Sequence, residues 1–247
     1  MDLMADLKTT LRSLKLPGIL ESAETRAQEA REQNLGHLEF LTLLIQDERQ
    51  KRDEAQFRKC LLASGMGSER TFETFDWAFN PQAFPRPTFS DLRNCGFISE
   101  GKNVVLCGPP GIGKTHLAKA LGHEACRRKR HVLFRKTSAL FKDLLNHNAP
   151  IRRDRLMIKA LRVDVLILDD FAFRRMTTEE AELLYGLVDE RLGMRSIILT
   201  SNRPTDDWLT MFPDPVMGGA LLDRLVSGAY KIVAPKAKSW RKEGKTP

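Results

Sequence analysis

The stretch LCGPPGIGKTHLAKAL, residues 106–121, runs from the end of an apolar strand through a glycine-rich turn into a helix. Its core, GPPGIGKT at 108–115, matches G-x-x-x-x-G-K-[ST] in the context that pattern needs, after a strand and opening a helix. Gly108, Gly111 and Gly113 let the backbone fold tightly enough to aim several N–H groups at phosphate oxygens, with Pro109, Pro110 and Ile112 completing the loop. The helix N-terminus adds partial positive charge. Lys114 then bridges the β- and γ-phosphates of ATP, and the Thr115 hydroxyl ligates Mg²⁺. Such a loop serves kinases, motors, switches and clamps alike, so its purpose has to be read from the rest of the chain.

Downstream of Asn103, apolar strands alternate with helical patterns. NVVLC, HVLFRK, VDVLIL, RSIILTS and AYKIVA read as strands; GKTHLAKALGHEACR, 138–146 and 177–192 read as helices. Alternation of this kind predicts an α/β fold, a parallel sheet with helices on both faces. Upstream, Leu3, Leu7, Leu11 and Leu14 recur at helical spacing until Pro17-Gly18, and a polar helix runs on towards Gly36. From His37 one long amphipathic helix is expected, anchored by Leu41, Leu44, Ile45, Phe57 and Leu61. This arm either docks on a neighbour or partner, or simply caps the main domain. Residues 65–92, rich in aromatics and prolines, read as an ordered connector without regular period. The expected domains are a helical one over 1–67 and a nucleotide-binding one over 68–247.

Two more strand ends carry chemistry. VDVLILDD delivers Asp169 and Asp170 to the C-terminal edge of the sheet, where open α/β sheets bind ligands. Asp169 can hold Mg²⁺, and Asp170 can orient or deprotonate an attacking water, which argues for hydrolysis. IILTSNRP ends in Asn202, a neutral amide able to hold that water against the γ-phosphate. Arg224, in GGALLDRLVSGAYKIVA, is either a surface arginine paired with Asp223 or a group that reaches a neighbouring subunit's γ-phosphate.

The net charge of +8 favours an anionic partner. Residues 1–67 are almost balanced, with ten basic and eleven acidic side chains, whereas 68–150 carry thirteen against seven. Clusters lie at Arg127–Arg130, at Arg152, Arg153 and Arg155, and at Arg174 and Arg175; the last two clusters flank the Asp169 strand. They can track phosphates without reading bases. The four cysteines show no C-x-x-C spacing and read as buried thiols of a reducing compartment. His116, His123 and Cys126 can share a helix face but lack a fourth ligand. The start MDLMADLK is no signal peptide, and apolar runs such as VLIL at 165–168 are too short to cross a membrane, so a cytoplasmic protein is expected.

GKTHLAKAL, LILDDF, TSNRP, LLDRL and the trailing KSWRKE, with the aromatic lead-in TFETFDWAFNP, resemble the IstB-like ATP-binding proteins, a group within the AAA+ ATPases related to the DnaC helicase loaders. The resemblance covers nearly the whole chain. It implies a five-stranded parallel sheet and an ATP-dependent ATPase that binds double-stranded DNA, oligomerises and works with a DDE transposase; a DnaC-type helicase loader is the alternative. It further implies that Lys114, Thr115 and Asp169 hold MgATP, that Asn202 is the sensor-1 residue and that Arg224 is the arginine finger. Asp170 stands where many relatives have Glu. The tail departs from the pattern at Ala237 and Trp240, and thirteen residues after Ala234 are too few for a helical lid, leaving Arg241 as a candidate nucleotide contact.

Overall fold

A computed structural model describes residues 3–235 and 237–240. Its contacts divide the chain into two units, Met1–Lys59 and Cys60–Pro247. The first holds α1 (Leu3–Ser13), α2 (Pro17–Glu32) and most of α3 (His37–Ser64). Pro17 opens α2, where its missing N–H costs nothing.

Polar clasps rather than a core hold this unit. The Glu48 carboxylate accepts from the Gly18 and Ile19 amides at 2.7 and 3.2 Å, capping α2 from α3. Arg26 grips Asp47 through two nitrogens at 2.8 Å. A side chain at Gly18 would collide with the Glu48 backbone, so glycine is what lets α2 start this close to α3. Among the described residues of this unit, Leu11 and Ala23 are the buried apolar side chains. The expected anchors of α3 are not buried: Leu41 and Ile45 are about half exposed, and Leu44, Phe57 and Leu61 are intermediate. Apolar residues are spread around the long helix instead of forming one stripe, so no single face of it can be covered.

In the second unit the five strands are β1 (Val104–Cys107), β2 (Val132–Lys136), β3 (Val165–Asp169), β4 (Ser196–Ser201) and β5 (Tyr230–Val233). They pair in parallel in the order β2-β3-β4-β1-β5. The central strands are buried along their whole length, and the edge strands β2 and β5 are partly open, as expected when helices cover both faces. The helices are α6 (Lys114–Arg127), α7 (Thr137–Leu144), α8 (Pro150–Arg162), α9 (Thr178–Asp189) and α10 (Pro215–Val226), with short α4 (Arg86–Arg93), α5 (Gly96–Ser99) and a 3₁₀ helix at Thr205–Met211. Helix α8 and the helical end of the 65–92 connector go beyond what the sequence pattern predicts. In α4 the prolines mask the helical pattern, although Pro87 in the first turn is compatible with it.

One buried cation ties the lower end of the sheet together. Arg191 is 1% exposed, and its guanidinium donates to Ala160 O at 2.6 Å, Val163 O at 2.9 Å and Ser196 O at 2.8 Å. It thereby satisfies a C-terminal carbonyl of α8 and joins the approaches to β3 and β4. Arg191→Leu is expected to destabilise the protein by about 3 kcal/mol, because it strands several buried carbonyls. Chemical denaturation checks this, and a loss below about 1 kcal/mol would show the bonds to be dispensable.

Candidate nucleotide site

Because β3, β4 and β1 are neighbours, their C-terminal ends converge on one patch. Gly113, at φ 106°, caps α6 without any side-chain bond, so the first-turn amides face the loop's cradle. At that position a Cβ would lie 2.6 Å from the ring of Phe75, so a side chain is excluded on steric as well as conformational grounds.

Lys114 is buried, and its ammonium donates to Gly108 O at 2.7 Å, Pro109 O at 2.8 Å and Asn202 Oδ1 at 2.8 Å. An ammonium only donates, so the Asn202 oxygen must face Lys114 and its NH₂ must point elsewhere. Asn202 is thus oriented by Lys114 itself. Thr115 donates to Asp169 Oδ1 at 2.7 Å, and Thr200 donates to the same oxygen at 2.6 Å. Thr137 donates to the Asp169 carbonyl at 3.0 Å. Sequence reasoning missed Thr200 and Thr137; their one signal was a hydroxyl at a strand's C-terminal end.

Asp169 is 2% exposed, and among the described residues only hydroxyls meet its carboxylate. A buried carboxylate beside a threonine hydroxyl, with no cation paired to it, suits a hard divalent ion such as Mg²⁺. Asp170 differs. Its φ of 55° is left-handed, its amide donates to Thr200 Oγ1 at 3.1 Å, and its half-exposed carboxylate lies 3.7 Å from Lys136 Nζ. The turn therefore splits the pair: one acid is buried on the loop side, the other is turned to the open edge.

Two flanking segments close on the loop. The connector lies along α6, where His116 Nε2 meets Thr71 O at 2.8 Å, Lys119 meets Met66 O at 2.6 Å and His123 Nε2 meets Gly67 O at 2.8 Å. A carbonyl only accepts, so both imidazoles must donate from Nε2, and burial lowers both pKa values. These histidines anchor the connector. Residues 237–240 cross the loop itself: Trp240 N–H donates to Gly111 O at 3.0 Å, and its ring meets Phe79 edge-on. Asn80 exchanges two bonds with Lys238. Arg241 lies outside the described residues.

Arg224 is not part of this patch. Its backbone carbonyl accepts from Asn103, which precedes β1, whereas the phosphate loop follows β1. Four strand residues, about 13 Å, separate those two levels. The guanidinium bonds Asp189 at 3.0 Å and Ala220 O at 3.0 Å, and lies over the Tyr185 ring. Its acidic partner is therefore Asp189, one helix away, and not the adjacent Asp223.

The basic clusters divide in the same way. Arg152, Arg155 and Arg175 are exposed, and Arg153 bonds Asp154 at 3.0 Å. Arg174 holds Glu180 through both terminal nitrogens at 3.0 and 2.5 Å, and Glu180 is the buried acid of the capping box that starts α9. Arg174 is thus an ion-pair partner within its own fold, with its side chain still 55% exposed. Arg127, Arg128 and Arg130 pair with Glu124 or Asp164. Among the described residues no helix is long and apolar enough to cross a membrane.

Residues 9–247 match the family described as IstB-like ATP binding protein. The insertion-sequence protein Rv3427c of Mycobacterium tuberculosis, named for ATP binding, is 38% identical over 97% of this chain and 96% of its own. An IS21 protein of Pseudomonas aeruginosa, also named for ATP binding, is 35% identical over 90% of this chain and 84% of its own. Among solved structures the fold is similar to the DnaC helicase loader (TM-score 0.51, 22% identity, 64% of this chain and 97% of that one). DnaI is also similar (TM-score 0.57, 21% identity, 71% and 93%).

Proposed function

The chain belongs to the IstB-like ATP-binding family, AAA+ proteins associated with insertion sequences, and from that premise we propose that it is an ATPase whose nucleotide site is completed by a second copy on duplex DNA. One observation carries this reading. Lys114, Asn202, Thr115 and Asp169 are bonded into one cluster, while Arg224 stands at the other end of β1. A group so placed can reach a γ-phosphate only on a neighbouring molecule.

The chemistry follows from the cluster. Loop amides and Lys114 bind the triphosphate, and Thr115 with Asp169 would hold Mg²⁺, which would screen phosphate charge. Asn202, oriented by Lys114, presents its NH₂ towards the γ-phosphate and the attacking water. Asp170 takes that water's proton from the open side of the turn. Arg224 of the neighbour stabilises the charge that develops on the transferred phosphoryl group. Stacking through this contact aligns Arg152, Arg153, Arg155 and Arg175 of successive copies along one duplex, so that many weak phosphate contacts add. Hydrolysis removes the γ-phosphate that Arg224 reads and loosens the array. The insertion-sequence relatives support a DDE transposase as the partner that uses it, in the cytoplasm.

The test is duplex binding measured against salt with and without ATP. Binding is expected to need ATP and tolerate any sequence. Replacing Arg152, Arg153 and Arg175 by Ala is expected to flatten the log–log salt slope by about 0.9 for each phosphate no longer neutralised. Tight binding without nucleotide, or an unchanged slope, would defeat the proposal. Capture of a replicative helicase instead of the transposase would assign the chain to helicase loading.

A further inference from the structure

A second cavity lies at the opposite end of the sheet from the phosphate loop, and its electrostatics are unusual. It measures about 150 Å³, room for about five waters. The turn before β1, the turn between α9 and β4 and the end of α10 enclose it, and Lys102, Arg191, Arg195 and Arg224 all line it. Gly101 and Gly193 form a wall where the two turns touch; a Cβ on Gly101 would lie 2.5 Å from Gly193 O.

The four cations are unequally neutralised. Arg224 pairs with Asp189, and Lys102 pairs with Glu100 at 2.8 Å. Among the described residues Arg191 bonds only carbonyls, and its buried Nε has no hydrogen-bond partner. Among the described residues nothing bonds the Arg195 guanidinium. Burial, together with the positive charge of Arg195, lowers the Arg191 pKa to about 10. Among the described residues neither Arg191 nor Arg195 forms an ion pair, so an anion entering the cavity would relieve the repulsion between them.

We propose that this cavity is a phosphate site that receives the terminal phosphate of a nucleotide bound by a neighbouring copy, with Arg195 as a second phosphate-contacting arginine beside Arg224. This rests on the reading of Arg224 as a group acting between copies. Arg224 must leave Asp189 to reach the phosphate, whereas Arg195 has no partner among the described residues to give up. Guanidinium suits the role because its planar fork binds phosphate oxygens in pairs.

The experiment compares full-length Arg195→Ala, Arg195→Lys and Arg224→Ala, with nucleotide affinity of the isolated chain, thermal midpoint and DNA-stimulated turnover as readouts. Arg195→Ala is expected to fold and bind ATP as the parent does, yet lose about 10- to 100-fold in stimulated turnover. Arg195→Lys restores part of the loss, since charge returns without the fork. Mixing Arg195→Ala with Lys114→Ala chains restores turnover, because one supplies the nucleotide and the other the intact cavity. Normal turnover in Arg195→Ala beside a collapsed Arg224→Ala overturns the second arginine and leaves the trans reading standing. Normal turnover in both overturns the trans reading itself. If inorganic phosphate binds the isolated chain and Arg195→Ala abolishes only that, the ligand is free phosphate and the neighbour's nucleotide is excluded.

Discussion

Arg224→Ala is expected to lower DNA-stimulated ATP turnover about a thousandfold, the usual effect of losing an arginine that stabilises phosphoryl transfer. Nucleotide binding by the isolated chain is expected to stay unchanged, since Arg224 lies at the far end of β1 from the loop. Stability is expected to change little as well. The ion pair to Asp189 is partly exposed, and such pairs contribute less than about 1 kcal/mol. The decisive measurement is complementation. Arg224→Ala protein mixed with Lys114→Ala protein regains activity, because one brings an intact nucleotide site and the other an intact arginine. Absence of rescue in verified mixed oligomers would falsify action between copies.

Lys114→Ala is expected to weaken ATP binding severely, with affinity falling about 30- to 150-fold. The side chain supplies a charge-assisted contact worth about 2–3 kcal/mol, and it also orients Asn202. Asp170→Asn provides the contrast: it binds ATP normally and hydrolyses it slowly, because Asp170 stands outside the buried cluster and acts on the water. Calorimetric titration with ATP and single-turnover hydrolysis separate the two. Equal affinities and equal rates across both variants and the parent would remove both assignments. Removing Lys114 also leaves Gly108 O and Pro109 O without that donor, so a melting curve without nucleotide must accompany the titration.

The alternation of apolar strands and helices, the phosphate loop and the acids at the end of β3 were legible in the sequence because each is a local pattern. A run such as VLIL must be buried on both faces wherever it lies, and a glycine loop between strand and helix can fold in few ways. Their convergence could be expected, since parallel strands end on one edge. The strand order, which makes β3, β4 and β1 neighbours, was decided only by tertiary packing. So were the partners of the charged side chains. Nothing near Arg174 in sequence marks it as the counter-ion of Glu180, and nothing marks Asp189 as the acid that holds Arg224. Nor does the sequence distinguish Arg191, buried among carbonyls, from Arg195, which has no partner among the described residues. Hydrophobic periodicity is set by neighbours along the chain, whereas the state of a charge depends on which distant groups folding brings within a few ångströms.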